Sequence, residues 1–387
     1  MTTLHFNFRD MFRSLKLAFS LQRIWIQFVG LSVSYSVYLV LTYLAFIISG
    51  EGIQTVWDRY GLLPLLPGTY MPVISIIIYV LAVFFLIYGA MITSTGVARA
   101  VYMNLKGNTF YTWKEALGFA WKKKWSIFGT PLALTIFIIV IGAGGFITGL
   151  IGRIPFFGEW FISLFTIFWF LASLVLVFIG ISLAVSLLLT PAILATTDDD
   201  AFEGVFQSFS IAFTQPWRLL IYQVLNAAVG LFGFVTFTLL FKYTWKVFNL
   251  IINWGMGEKF VTVASAASYY VQSWTYPFVL CYQAVLGDYG QWIFYSHDFI
   301  SKALPLRITI AALLMAFGLI ILGLYLISFP LALFNTGQTL CFLVIKKIKD
   351  DENLLERKDR EEEEEPESEE NESEEEEESE QAGKEKE

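Results

Sequence analysis

Six long stretches of the chain carry no charged residue: Ile24 to Gly50, Tyr60 to Ala98, Trp125 to Gly152, Trp160 to Thr197, Leu219 to Phe241 and Ile308 to Ile345. About 20 apolar residues in a helix cross the ~30 Å hydrocarbon core of a bilayer. Every stretch is long enough, so the pattern predicts an all-α polytopic membrane helix bundle with six transmembrane helices. Two of the stretches, at 160–197 and 308–345, would be about 57 Å long as continuous helices. Such helices must tilt, break at Gly or Pro, or project beyond the membrane.

Between the spans lie shorter segments with a different period. Phe8, Phe12, Leu15 and Phe19 fall at i, i+4, i+7 and i+11, one face of a helix, and Phe202, Phe206, Phe209 and Phe213 do the same. Trp113, Leu117 and Trp121 form a similar stripe. These segments read as amphipathic helices lying in the interface with their aromatics toward lipid. Each precedes an odd-numbered span, and their sequences align: Ser14 to Phe19, Ala116 to Trp121 and Ser208 to Phe213. The even-numbered spans match at Thr95-Gly96, Thr190-Pro191 and Thr336-Gly337. The pattern therefore predicts three repeated units of interfacial helix plus transmembrane hairpin, at about 6–105, 110–200 and 202–349. An aromatic insert at 242–307 is expected over the outer ends, as interfacial helices or as a re-entrant stretch around Val261–Leu286. Residues 51–70, with Gly61, Pro64, Pro67 and Gly68, read as an outer loop.

Composition agrees with a membrane chain: 56% of residues are hydrophobic and the mean hydropathy is +0.61. The net charge of −8 conceals a segregation. Residues 1–349 hold 21 Lys and Arg against 12 Asp and Glu, a net +9; residues 350–387 hold 5 against 22, a net −17. The second segment is expected to be a disordered acidic cytoplasmic tail, with a basic protein as a candidate partner. Lys and Arg near the helix ends favour the side that holds the N-terminus by two to one, which predicts both termini in the cytoplasm. No cleavable signal peptide is recognised, and Cys281 and Cys341 form no disulfide framework.

The run Thr190-Pro191-Ala192-Ile193, Asp198-Asp199-Asp200, Phe206-Gln207-Ser208-Phe209 and Pro216-Trp217, with Thr112 to Leu117 in the second unit, resembles a recurring prokaryotic pattern. It is similar to the integral-membrane domain fused to some glycerophosphodiester phosphodiesterases and to related stand-alone families of unknown function. In that pattern a long helix ends in an apolar-Pro stretch, and a short acidic turn leads into an amphipathic helix. Here Gly204-Val205 replaces its usual Glu-Ala pair. With no phosphodiesterase catalytic domain among these residues, the resemblance implies a membrane module, no reaction, and a prokaryotic plasma membrane as its location.

The residues offer little chemistry. The chain has two histidines, His5 and His297, and lacks clustered metal ligands or a nucleophile motif. Asp198, Asp199, Asp200 and Glu203 read as a capped helix start rather than a cation site, and His297-Asp298 as a surface loop. No catalytic residue, cofactor, metal or nucleic-acid partner is expected. Lys122, Lys123 and Lys124 are candidate contacts for lipid headgroups. Asn226 and Asn335 are candidate polar residues of a solute pathway, or interhelical hydrogen-bonding groups. Gly145 and Gly149 have the spacing for close helix packing. The expectation is a non-enzymatic membrane protein that organises lipids or partner proteins. The alternative is a transporter or channel for a neutral or lipid-like solute, and behind it an intramembrane lipid-modifying enzyme.

Overall fold

The computed structural model describes residues 4–64, 71–277 and 304–357. These residues are helical and contain no strand. Twelve helices of the described residues set the frame: α1 (Asp10–Ala18), α2 (Leu21–Ile48), α3 (Ile53–Tyr60), α4 (Val73–Lys106), α5 (Trp113–Lys122), α6 (Lys124–Ile151), α7 (Phe157–Leu164), α8 (Thr166–Thr197), α9 (Ala201–Thr214), α10 (Pro216–Met256), α11 (Glu258–Trp274) and α12 (Leu306–Asp350). Six of them, α2, α4, α6, α8, α10 and α12, are long and apolar enough to cross a membrane.

Local chemistry sets their ends. The α4 helix starts after Pro72 and stops at Gly107, whose φ of 101° is left-handed. Thr112 caps α5 through a capping box with Glu115. Asp198 and Asp351 close α8 and α12 with φ of 56° and 54°. Pro191 and Pro330 sit inside α8 and α12 without ending them. Of the expected ways to accommodate the long helices, a break at proline does not occur.

The C-terminal ends of α4, α8 and α12 form the core. Val97 and Val101 of α4, Leu189 and Ile193 of α8, and Leu340 and Val344 of α12 are fully buried in one cluster. We call this end basal and the opposite end distal. The three amphipathic helices wrap it: α5 lies on α4, α9 on α8 and α1 on α12. Each presents small residues inward: Ser14 and Ala18 of α1, Ala116 and Ala120 of α5, Ser208 and Ala212 of α9. Within the hairpins, α2 and α4 approach closely where Gly30 faces Thr93 and Gly89 faces Ser34.

Several expected boundaries move. The fifth span does not stop at Phe241, because α10 continues through Lys242 and Lys246 to Met256. The insert at 242–307 is thus partly a helical extension, followed by α11, which packs along α12 through Ala266, Ala267, Ala312 and Ala316. Its remainder at 278–303, with Cys281 and His297-Asp298, lies outside the described residues. The stretch expected as an outer loop contains α3. The acidic segment is not disordered from residue 350 onward. Leu354 is 2% exposed within the basal core, Tyr102 donates to its carbonyl at 2.8 Å, and Lys106 donates to the carbonyl of Arg357 at 3.0 Å. Residues 350–357 are a strap across the basal end; the expectation of disorder from 358 onward lies outside the described residues.

Candidate lipid-facing surface

The basal end carries both the aromatic stripes and most of the candidate site residues. On α9, Gly204, Gln207, Ser208, Ile211 and Ala212 face the protein, while Phe202, Phe206 and Phe213 are exposed. Gly204 lies where a Cβ would come within 2.5 Å of Thr130 Oγ1 on α6. This contact is a physical reason for glycine at the position that departs from the resembled pattern. On α1 and at its two ends, Phe12, Phe8 and Phe19 are exposed, Phe19 with its ring edge-on to Phe329 at 5.9 Å between centroids, while Leu15 turns inward against the cluster of Phe329 and Leu333. On α5 and the start of α6, Trp121 and Trp125 are exposed. The polarity of these helices is inverted relative to a soluble protein, with small and polar residues packed inward and large apolar ones outward.

Cations border the aromatics. Lys124 Nζ lies 4.6 Å from the Trp121 ring centroid, and the Arg218 guanidinium 5.1 Å from that of Trp217. The three lysines expected at headgroups divide. Lys122 is exposed and Lys124 half-exposed on Trp121. Lys123 turns inward: its ammonium lies 2.8 Å from Asp198 Oδ1 and donates to the Asp198 carbonyl, joining the α5–α6 corner to the α8–α9 turn.

The acidic turn is likewise engaged. Asp199 pairs with Arg357 of the strap at 3.5 Å, and Glu203 accepts from Gln207 at 2.6 Å. Asp200 occupies the N-cap of α9 without a side-chain cap bond. A depression of about 310 Å³ lies between this turn and the strap, lined by Asp199, Asp200, Glu203, Lys346, Glu352 and Arg357. Among the described residues no cluster of three or more His, Cys, Asp or Glu is placed to hold a metal ion.

Asn226 and Asn335 lie inside the bundle, bonded between helices. Asn226 is fully buried and donates to the Phe334 carbonyl at 3.1 Å, with its Oδ1 against Gly337. Asn335 donates to Gln27 Oε1 at 2.9 Å, tying α12 to α2. Gln223 and Gln338 exchange two amide bonds of 2.7 Å. These groups form a ladder that joins α10, α12 and α2. The expected close packing at Gly145 and Gly149 is not made among the described residues, since a Cβ at either, or at Gly142 or Gly144, meets nothing within 4 Å there.

Arg99 also belongs to the basal end but not to its surface. It is fully buried, 4.2 Å from the Phe119 ring centroid, and donates to the Ala195 carbonyl at 3.1 Å. Sequence reasoning also missed the tyrosines of α2, whose signal was a Tyr35, Tyr38, Tyr43 series inside a charge-free span.

Six apolar helices, a basal core of helix ends and outward aromatic stripes define the build of a multi-pass helical integral membrane protein. The chain matches no protein-family model, no curated protein and no solved structure.

Proposed function

We propose that this chain is a non-enzymatic integral membrane protein that organises lipids, or proteins bound to them, at the cytoplasmic face of a prokaryotic plasma membrane. In this reading both termini are cytoplasmic and the chain consists of three like units arranged in a ring. The observation that carries it is the outward aromatic face of the amphipathic helices. At the aligned positions Phe19, Trp121 and Phe213 are 66%, 61% and 65% exposed, while the paired small residues beneath them are buried. Packing order supports the ring: α5 touches α4 and α2, α9 touches α8 and α6, and α1 touches α12 and α10. Three such helices would bury Phe and Trp in one leaflet, with Lys122, Lys124 and Arg218 at headgroup depth.

Native mass spectrometry of the protein released from bilayers of mixed phosphatidylglycerol and phosphatidylethanolamine tests the reading. Anionic lipid should be retained above its bulk share, and Lys122→Ala with Trp121→Ala and Trp125→Ala should lower that retention. Retention equal to the bulk share, unaffected by the substitutions, would count against it.

A further inference from the structure

The segment after α2 does not stay at the distal surface. The α3 helix turns back along α2, with Tyr60 stacked on Phe46 (centroids 5.3 Å apart) and Trp57 beside Tyr43 (6.3 Å). The non-helical residues 61–64 then hang from α2 by three phenols. Tyr43 donates to the Gly61 carbonyl at 2.5 Å, Tyr38 to that of Pro64 at 2.6 Å, and Tyr35 to that of Leu62. From α11, the Trp274 carbonyl accepts the Leu62 N–H at 2.7 Å. The N–H of Gly61 goes to Trp57 and that of Leu63 to Tyr60.

Depth follows from the helix rise. Tyr43, Tyr38 and Tyr35 stand five, ten and thirteen residues before Ile48, the distal end of α2, or about 8, 15 and 20 Å along its axis. With the distal end of α2 at the membrane surface, residues 61–64 lie within the hydrocarbon. Non-helical backbone persists at that depth only where protein satisfies its polar groups, and the tyrosines and Trp274 provide that here. Glycines bracket the element. Gly50 has φ +89°, and Gly61 has φ +53° with a built Cβ only 2.2 Å from the Trp274 carbonyl.

We propose that residues 51–64 are a re-entrant lid: α3, with Asp58 and the Glu51–Arg59 pair, lies at the outer interface, and residues 61–64 dip into the outer leaflet, latched onto α2 by Tyr35, Tyr38 and Tyr43. The lid lies at the distal end between α2 and α11. It depends on the membrane build of the chain and not on the lipid-organising role. A short segment held by a few directional bonds opens locally without disturbing the basal core.

Cysteine accessibility in nanodiscs tests it, since both faces of the disc meet the reagent. In a Cys281→Ser, Cys341→Ala background, Leu63→Cys should react with a charged maleimide at least about tenfold more slowly than Gln54→Cys on the exposed face of α3. Adding Tyr38→Phe and Tyr43→Phe should raise the Leu63→Cys rate roughly tenfold, as expected for two lost hydrogen bonds. If that combination fails to assemble, either single phenylalanine should give about a threefold rise. Equal rates at Leu63→Cys and Gln54→Cys would place the segment in water and overturn the lid. A protected Leu63→Cys that is unmoved by the phenylalanine substitutions would overturn the latch.

Discussion

Replacing Gly337 with alanine perturbs the α10–α12 contact at its closest point. A Cβ there would come 1.8 Å from Asn226 Oδ1, 2.4 Å from its Cγ and 2.9 Å from its Nδ2. Asn226 is fully buried and already bonded to the Phe334 carbonyl, so it has no free rotamer to retreat into. Either the amide leaves its position or the two helices separate. Overpacking of this kind costs about 1–3 kcal/mol, and the lost interhelical hydrogen bond adds about 0.6 kcal/mol. Gly337→Ala should therefore destabilise the protein by roughly 2–4 kcal/mol. Asn226→Ala alone removes the bond but leaves room, so it should cost about 1 kcal/mol or less. In the double variant the new methyl group occupies the space the amide vacated, and most of the penalty should vanish. A double-mutant cycle by denaturant unfolding in mixed micelles reads the coupling directly, with about 1–3 kcal/mol expected. Additive effects, or a Gly337→Ala cost below about 0.5 kcal/mol, would refute this account of the contact.

Three further outcomes follow from named contacts. Tyr102→Phe removes the donor to the Leu354 carbonyl and should weaken strap docking by about 1 kcal/mol; hydrogen exchange at residues 351–357 should speed up several-fold, and unchanged protection would exclude the role. Lys123→Ala leaves Asp198 without its partner in a mostly buried site and should cost about 1.5–3 kcal/mol, whereas Lys122→Ala on the exposed side should stay within about 0.5 kcal/mol; thermal unfolding monitored by size-exclusion chromatography separates them, and equal effects would contradict the division of the lysines. Gly145→Ala and Gly149→Ala meet no neighbouring atom among the described residues and should be neutral or stabilising by up to about 1 kcal/mol each; a loss of monomer stability would show that the glycine face is packed after all.

The spans were legible because the absence of charge over 20 residues is a property of sequence alone. Their ends were not, because a lysine beyond the membrane surface does not interrupt a helix: α10 runs straight through Lys242 and Lys246. The aromatic stripes of α1 and α9 were legible from spacing. Which lysine of the Lys122–Lys124 run meets solvent was not, since that depends on Asp198, 75 residues away in sequence. The place of Arg99 inside the core was unreadable for a related reason. Its burial is set by Phe119 and the Ala195 carbonyl, which only tertiary packing brings to it. The lid was unreadable because Pro and Gly mark a turn without saying whether it lies above the membrane or folds back into it.

Lipid tails are as apolar as leucine, so hydrophobicity alone does not draw one membrane helix onto another. Small residues and interhelical polar bonds must select the contacts, and their distribution explains the uneven bundle. The α2–α4 hairpin has Gly30 against Thr93 and Gly89 against Ser34; α10 and α12 have Gly233 against Leu333 and Asn226 against Gly337. Between α6 and the helices α8 and α9 the comparable glycine contacts among the described residues lie near the basal end, where Gly129 and Thr130 meet Ala201 and Gly204; the distal Gly152 and Gly158 pack only within the turn to α7. Accordingly the buried residues of α6 are confined to Ile127, Thr130 and Leu134, and those of α8 begin at Ile179. Distal to these points the α6–α8 hairpin presents apolar side chains and bare glycines outward. Among the described residues it is held at its base, with few buried positions above it. Motion of the spanning helices themselves should therefore begin in the α6–α8 hairpin, while the amide ladder keeps α2, α10 and α12 together.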